Sequence, residues 1–187
     1  MVGELPRDYL EMLQADYLKP HEPGLSDAEV AGIETRYGFV LPPDLRSRLQ
    51  TFVPVGKNFY DWRRGIRVGI DDDVRCSVDW WLKFPLDGMA EWVAIEHGWP
   101  EAWGPKPEST KDALVIARER VSRAPRPIPI FSHRYMPDTP CEAGNPVYST
   151  VQTDTIYYGN DLAGYLHNEF GVPRPAWAAT APKPIPF

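Results

Sequence analysis

His133, Asp138, Cys141 and Glu142 share one proline-stiffened stretch, "SHRYMPDTPCEAGNP" (132–146), and are residue types that can do chemistry. Two chemistries are worth weighing. A borderline metal accepts His and Cys, and a catalytic metal site needs three protein ligands and an open position. The spacing here matches no known clasp, and Pro137 and Pro140 constrain the segment between the ligands. Nucleophilic catalysis needs a Ser or Cys beside an oriented base, a role His133 or His167 could fill for Cys141. A small hydrolase or ligand-binding protein built on His133, Asp138 and Cys141 is therefore one alternative. It requires the three side chains to converge within hydrogen-bond reach. No GxSxG elbow, SxxK or Cys-Gly-aromatic signature supports it.

Other candidates are thinner. Asp71, Asp72 and Asp73 lack the alternating ligands, central Gly and terminal Glu of a calcium loop, and read as a solvated turn. There is no GxxxxGK[ST] and no GxGxxG, so nucleotide chemistry has no support, and neither a cofactor nor a metal is expected. Arg118, Arg120, Arg123 and Arg126 read as a solvated helix face paired with Glu119. A Trp cluster, Trp80, Trp81, Trp92, Trp99 and Trp103, belongs mostly in a core, since large rings dominate burial. An exposed Trp would suit a binding hot spot.

The elements that must position these residues follow from periodicity and caps. Leu5, Tyr9, Leu10, Leu13 and Tyr17 recur at helical spacing and predict a short helix that stops before Lys19-Pro20. Ser26 with Glu29 three residues on is a capping box, and Gly38 ends that helix. Pro43 and Asp44 suit the start of a second helix running to Phe52. Residues 57–76 read as a strand pair ending in the acidic turn. Residues 77–108 predict short helical pieces and loops, because Pro85, Gly88, Gly98 and Pro100 interrupt them. Thr110 caps a helix whose buried stripe is Leu114, Ala117 and Val121. "PIPIFS", "PVYSTVQ" and "TIYYG" read as three strands, and Asn160 or Asp161 caps a last helix ending at Gly171. This segregation predicts an α+β domain over 1–171, a mostly antiparallel sheet covered by helices with a Trp-rich helical insertion. The Pro-rich tail, 172–187, is expected to be extended or disordered.

Composition sets the partner class. A net charge of −6 argues against a general nucleic-acid binder, which must neutralise phosphates, and favours a basic protein partner. Cys76 and Cys141 stand far apart in unlike contexts, which suggests reduced thiols in a cytoplasm. Residues 1–20 lack the apolar run of a signal peptide, and no stretch approaches a membrane span.

A capped helix ending in Tyr37-Gly38, then "LPPDLRSRL", a strand with Trp62, "PIPIF", "NPVYS" and a closing "YYGNDLAGYLHNEF" together resemble the SUKH superfamily across about residues 25–171. That family includes fungal cell-wall-assembly regulators and many bacterial immunity proteins. The resemblance implies an α+β domain that is not an enzyme, and whose bacterial members bind and neutralise a cognate toxin, often a nuclease. Many relatives carry Gly-Asp after the strand here ending at Ser132, whereas this chain has His133-Arg134-Tyr135. Asp71, Asp72, Asp73, Trp99, Trp103, Arg134 and Tyr135 are accordingly the expected partner-contact residues, with a regulatory scaffold as a third reading. Arg134, if buried at a strand end, requires a carboxylate partner, because an unpaired buried charge is costly.

Overall fold

Ser26 caps α2 (Asp27–Tyr37) through the reciprocal capping box with Glu29, and Gly38 ends it at φ 70°. The last carbonyls of α2 meet the Arg126 guanidinium, which donates to Tyr37 O at 2.7 Å and Gly38 O at 2.6 Å. A side chain 88 residues further along the sequence than Gly38 thus satisfies groups that a helix end leaves unpaired. Pro43 opens α3 (Pro43–Thr51), whose Asp44, Leu45, Arg48 and Leu49 are all buried. Ahead of both helices, α1 (Arg7–Met12) widens into a π-type turn over Leu13–Tyr17. The computed structural model describes residues 3–95 and 98–185.

The strands are antiparallel throughout. Short ribbons pair β1 (His21–Pro23) with β2 (Phe52–Pro54), and β3 (Tyr60–Asp61) with β4 (Ile66–Arg67). A four-stranded meander follows: β5 (Pro127–Phe131), β6 (Arg134–Pro137), β7 (Val147–Val151) and β8 (Asp154–Gly159), paired in that order. Strand β6 is a fourth strand beyond the three predicted, and lies inside the proline-stiffened stretch 132–146. Its polar first residue and its terminal Pro137 hide a strand that tertiary pairing with both neighbours creates. The chain is an α+β protein, with α6 (Leu162–Phe170) closing the meander. Among the described residues no helix is long and apolar enough to cross a membrane.

Register assigns the faces of the meander, because side chains alternate along a strand. Tyr135, Tyr148 and Tyr157 are cross-strand partners on one face, with Thr150 and Thr155 beside them. Arg134, Ser149 and Ile156 line the other, which α6 covers.

The Trp-rich insertion is not broken as its prolines and glycines predict. One helix, α4 (Val78–Ile95), runs straight through Pro85, and α5 (Thr110–Val121) packs against it. A helix-interior proline costs about 3 kcal/mol in a lost bond and a clash. Burial offsets that cost: Trp81, Leu82 and Pro85 are buried, and Trp80 stacks on Phe84 at 4.5 Å. The N-terminal half of α4 joins the main core through Val78, Trp81 and Leu82. Its C-terminal half joins a separate small core in which Ala90 and Ala94 meet Ala113, Ala117 and Val121 of α5. Ser109, not Thr110, caps α5, and the buried stripe begins at Ala113, leaving Leu114 half-buried.

The tail is extended and also seated. Val172, Ala178 and Ile185 are buried, Trp177 packs edge-on against Tyr9 at 5.3 Å, and Lys183 donates to Ala143 O at 2.5 Å. Asp161 divides its carboxylate between two tasks. Oδ1 accepts from Gly164 N at 2.7 Å, capping α6, and Oδ2 accepts from Ala179 N at 2.6 Å, fixing the tail. Pro186 and Phe187 lie outside the described residues.

The turn into α6 is set by Gly159, where an added Cβ would lie 2.4 Å from Tyr165 N. Gly159→Ala should therefore destabilise the fold by about 3 kcal/mol, since overpacking a rigid backbone contact costs at the upper end of its usual range. Urea unfolding should show the midpoint falling with an unchanged slope.

Candidate functional site

The residues that could do chemistry do not converge. Strand β6 separates His133 from Asp138, so the two stand at opposite ends of a four-residue strand. Asp138 accepts from Arg126 N at 2.8 Å and from the Thr139 hydroxyl at 3.0 Å, which makes it a turn residue. Cys141 is exposed, and its weak bond to Leu41 O spans 3.8 Å. Partial burial and then the carboxylates of Glu34, Asp138 and Asp44 push its thiol up, which disfavours the thiolate a nucleophile needs. Glu142 reaches Lys183 at 3.4 Å. Among the described residues no three His, Cys, Asp or Glu side chains gather closely enough to hold a metal ion.

Arg134 has the carboxylate that its position demands. Its Nε donates to Glu169 Oε2 at 2.9 Å and its Nη1 to Ser149 Oγ at 2.9 Å, while the guanidinium lies 3.9 Å above the Tyr158 ring. Nη1 also abuts His133 Nε2, which must be an unprotonated acceptor there. His133 Nδ1 then carries the proton toward Ser132 Oγ at 3.1 Å. Burial, then the positive charges of Arg134 and Arg67, hold His133 below the ordinary histidine range. The four groups tie β6, β7, β8 and α6 into one unit.

The remaining expected contact residues are scattered. Asp71, Asp72 and Asp73 are exposed, with Asp72 accepting from Val74 N and Arg75 N at 3.0 and 2.8 Å. Trp99 and Trp103 are half-buried, edge-to-face at 5.4 Å, and Trp99 Nε1 donates to Gly104 O at 2.8 Å. Tyr135 is only 1% exposed and cannot meet a protein partner directly. The exposed tryptophans are instead Trp92 and Trp177. Of the Arg set, Arg118 pairs with Glu91 and Arg123 with Glu119, and both line an open groove of about 840 Å³ with Arg36, Lys83 and Arg126.

One surface escaped the sequence reading. Strand β8 is the outer strand of the meander, and among the described residues no strand pairs with its free side. It exposes apolar side chains on both faces: Ile156 is 54% and Tyr157 50% exposed, and Val151 across the turn is 43% exposed. Alternating apolar and aromatic residues on an unpaired edge form a ready template for another chain. The signal lay in "TVQTDTIYY", whose β-branched and aromatic residues continue to the last strand with Gln152 and Asp154 to break the run. Comparison with protein-family models, with curated proteins and with solved structures finds no match.

Two outcomes are expected. Glu169→Gln should cost about 3 kcal/mol by leaving Arg134 uncompensated, whereas Arg134→Met combined with Glu169→Leu should cost less than the two single changes summed. A double-mutant cycle in urea measures this. The His133 effect has a defined sign. Its folded pKa is depressed, so the unfolded chain takes up the proton first. Its contribution is full above about pH 6.5 and is lost as pH falls through the folded value. His133→Gln should flatten the fall in thermal midpoint between about pH 7 and pH 5.

Proposed function

We propose that this protein is a non-enzymatic, SUKH-like binding domain that acts in the cytoplasm by holding a protein partner along strand β8. The observation that carries the reading is the unpaired β8 edge with Ile156 and Tyr157 half or more exposed. An extended segment of the partner adds to the sheet as a further strand, so main-chain bonds supply affinity and alternate side chains supply selectivity. The net charge of −6 steers a basic partner toward the domain and repels acidic competitors. The resemblance to immunity proteins adds the biological form: the partner is a basic toxin, such as a nuclease, and binding neutralises it. The Arg134 and Glu169 cluster takes a structural part, since it fastens β7 and β8 to α6 and keeps the edge rigid.

The test is affinity capture from native lysate with three tagged proteins. Wild type and Val115→Lys, which alters an exposed apolar residue on α5, should recover the same basic protein at near one-to-one stoichiometry. Ile156→Lys should lose it at least tenfold, equivalent to about 1.4 kcal/mol. Retention of that protein by Ile156→Lys, or recovery of no stoichiometric protein by wild type, would overturn the reading.

A further inference from the structure

Helix α4 leaves the sheet where it crosses from the main core to the small core with α5, and a cleft of about 310 Å³ opens behind it. That volume falls at the lower end of the range of small-molecule sites. Its walls are apolar: Leu86 and Met89 from α4, Val121 from α5, Trp103, Pro137 and the tail's Ile185. Two features within it are unexplained by packing. Tyr135 and Tyr148 line the cleft from the sheet; the buried hydroxyl of Tyr135 lacks a hydrogen-bond partner among the described residues, and that of Tyr148 adjoins Tyr157. A buried polar group left unpaired costs about 1–3 kcal/mol, so the orphaned Tyr135 phenol in this cavity calls for a missing acceptor or donor. Arg120 also lines the cleft, exposed, while its neighbours Arg118 and Arg123 take Glu91 and Glu119. Among the described residues no carboxylate pairs with Arg120.

We infer that this cleft binds a small apolar monocarboxylate, its hydrocarbon or aromatic body between α4 and the sheet and its carboxylate toward Arg120 and the tyrosine hydroxyls. The apolar walls reward removal of the body from water. A carboxylate offers acceptor positions to the phenols and the negative charge that Arg120 lacks. A neutral molecule supplies only the first of these. The cleft borders β8 through Thr155, and its occupancy is measured without any protein partner.

The probe is 4-phenylbutyrate, titrated by calorimetry into the full chain, with 4-phenyl-1-butanol as its uncharged counterpart. The expected result is saturable one-to-one binding of the carboxylate, with the alcohol about tenfold weaker for want of the charge-assisted bond. Arg120→Gln, at an exposed position that leaves the core intact, should weaken the carboxylate to the level of the alcohol. Met89→Trp, which fills the cleft, should abolish both titrations. Absence of saturable binding to wild type would overturn the inference. Equal binding by wild type and Arg120→Gln, or of acid and alcohol, would overturn the assignment of a carboxylate.

Discussion

The ion pair of Arg134 with Glu169 is the interaction on which the meander and its closing helix depend. It joins the central strand β6 to the closing helix α6 at 2.9 Å, with side chains only 12% and 16% exposed. In so closed a setting a guanidinium left without its carboxylate is costly, so the pair couples strand β6 to helix α6 energetically. The same guanidinium reaches Ser149 on β7 and the Tyr158 ring on β8. Four consecutive elements are thereby held to one geometry. The edge strand inherits its rigidity from a charge placed two strands away.

The second constraint is the length of α4. A helix that belongs to two cores cannot lie flat on one sheet. Its first turns are committed to Trp81, Leu82 and the aromatic wall of the main core, and its last turns to the alanine contacts with α5. Pro85 falls between the two. Beyond that point the sheet face carrying Tyr135 and Tyr148 is covered only in part, and on β8 Ile156 and Tyr157 stay half or more exposed. Cleft and bare edge are thus consequences of one packing decision.

Much of this was readable in the residues, because some elements are specified by their own ends. The Ser26 and Glu29 box, the Pro43 start, the Gly38 and Gly171 left-handed caps and the runs at 127, 147 and 154 each act within a few residues of chain. What was not readable depends on distant partners. Strand β6 exists because β5 and β7 flank it, and α4 continues through Pro85 because buried rings outweigh a lost bond. The demand of Arg134 for a carboxylate was evident from its chemistry, yet Glu169 lies thirty-five residues on and only the fold brings them together. Exposure was least readable of all. Tyr135 lies in the interior while Tyr157 is bare, although the two are register neighbours of the same tyrosine, Tyr148. The tail reads as loose by composition, but Asp161 and the buried Ile185 seat it.

Addition of a partner strand to β8, as proposed, is measured by amide hydrogen exchange of the purified complex against the free protein. The backbone amides of Asp154–Tyr157 on the unpaired side should slow by at least tenfold on binding, while those of β5 and β6 stay as they were. Slowing confined to α5, the acidic turn at 71–73 or the tail, with β8 unchanged, would contradict it.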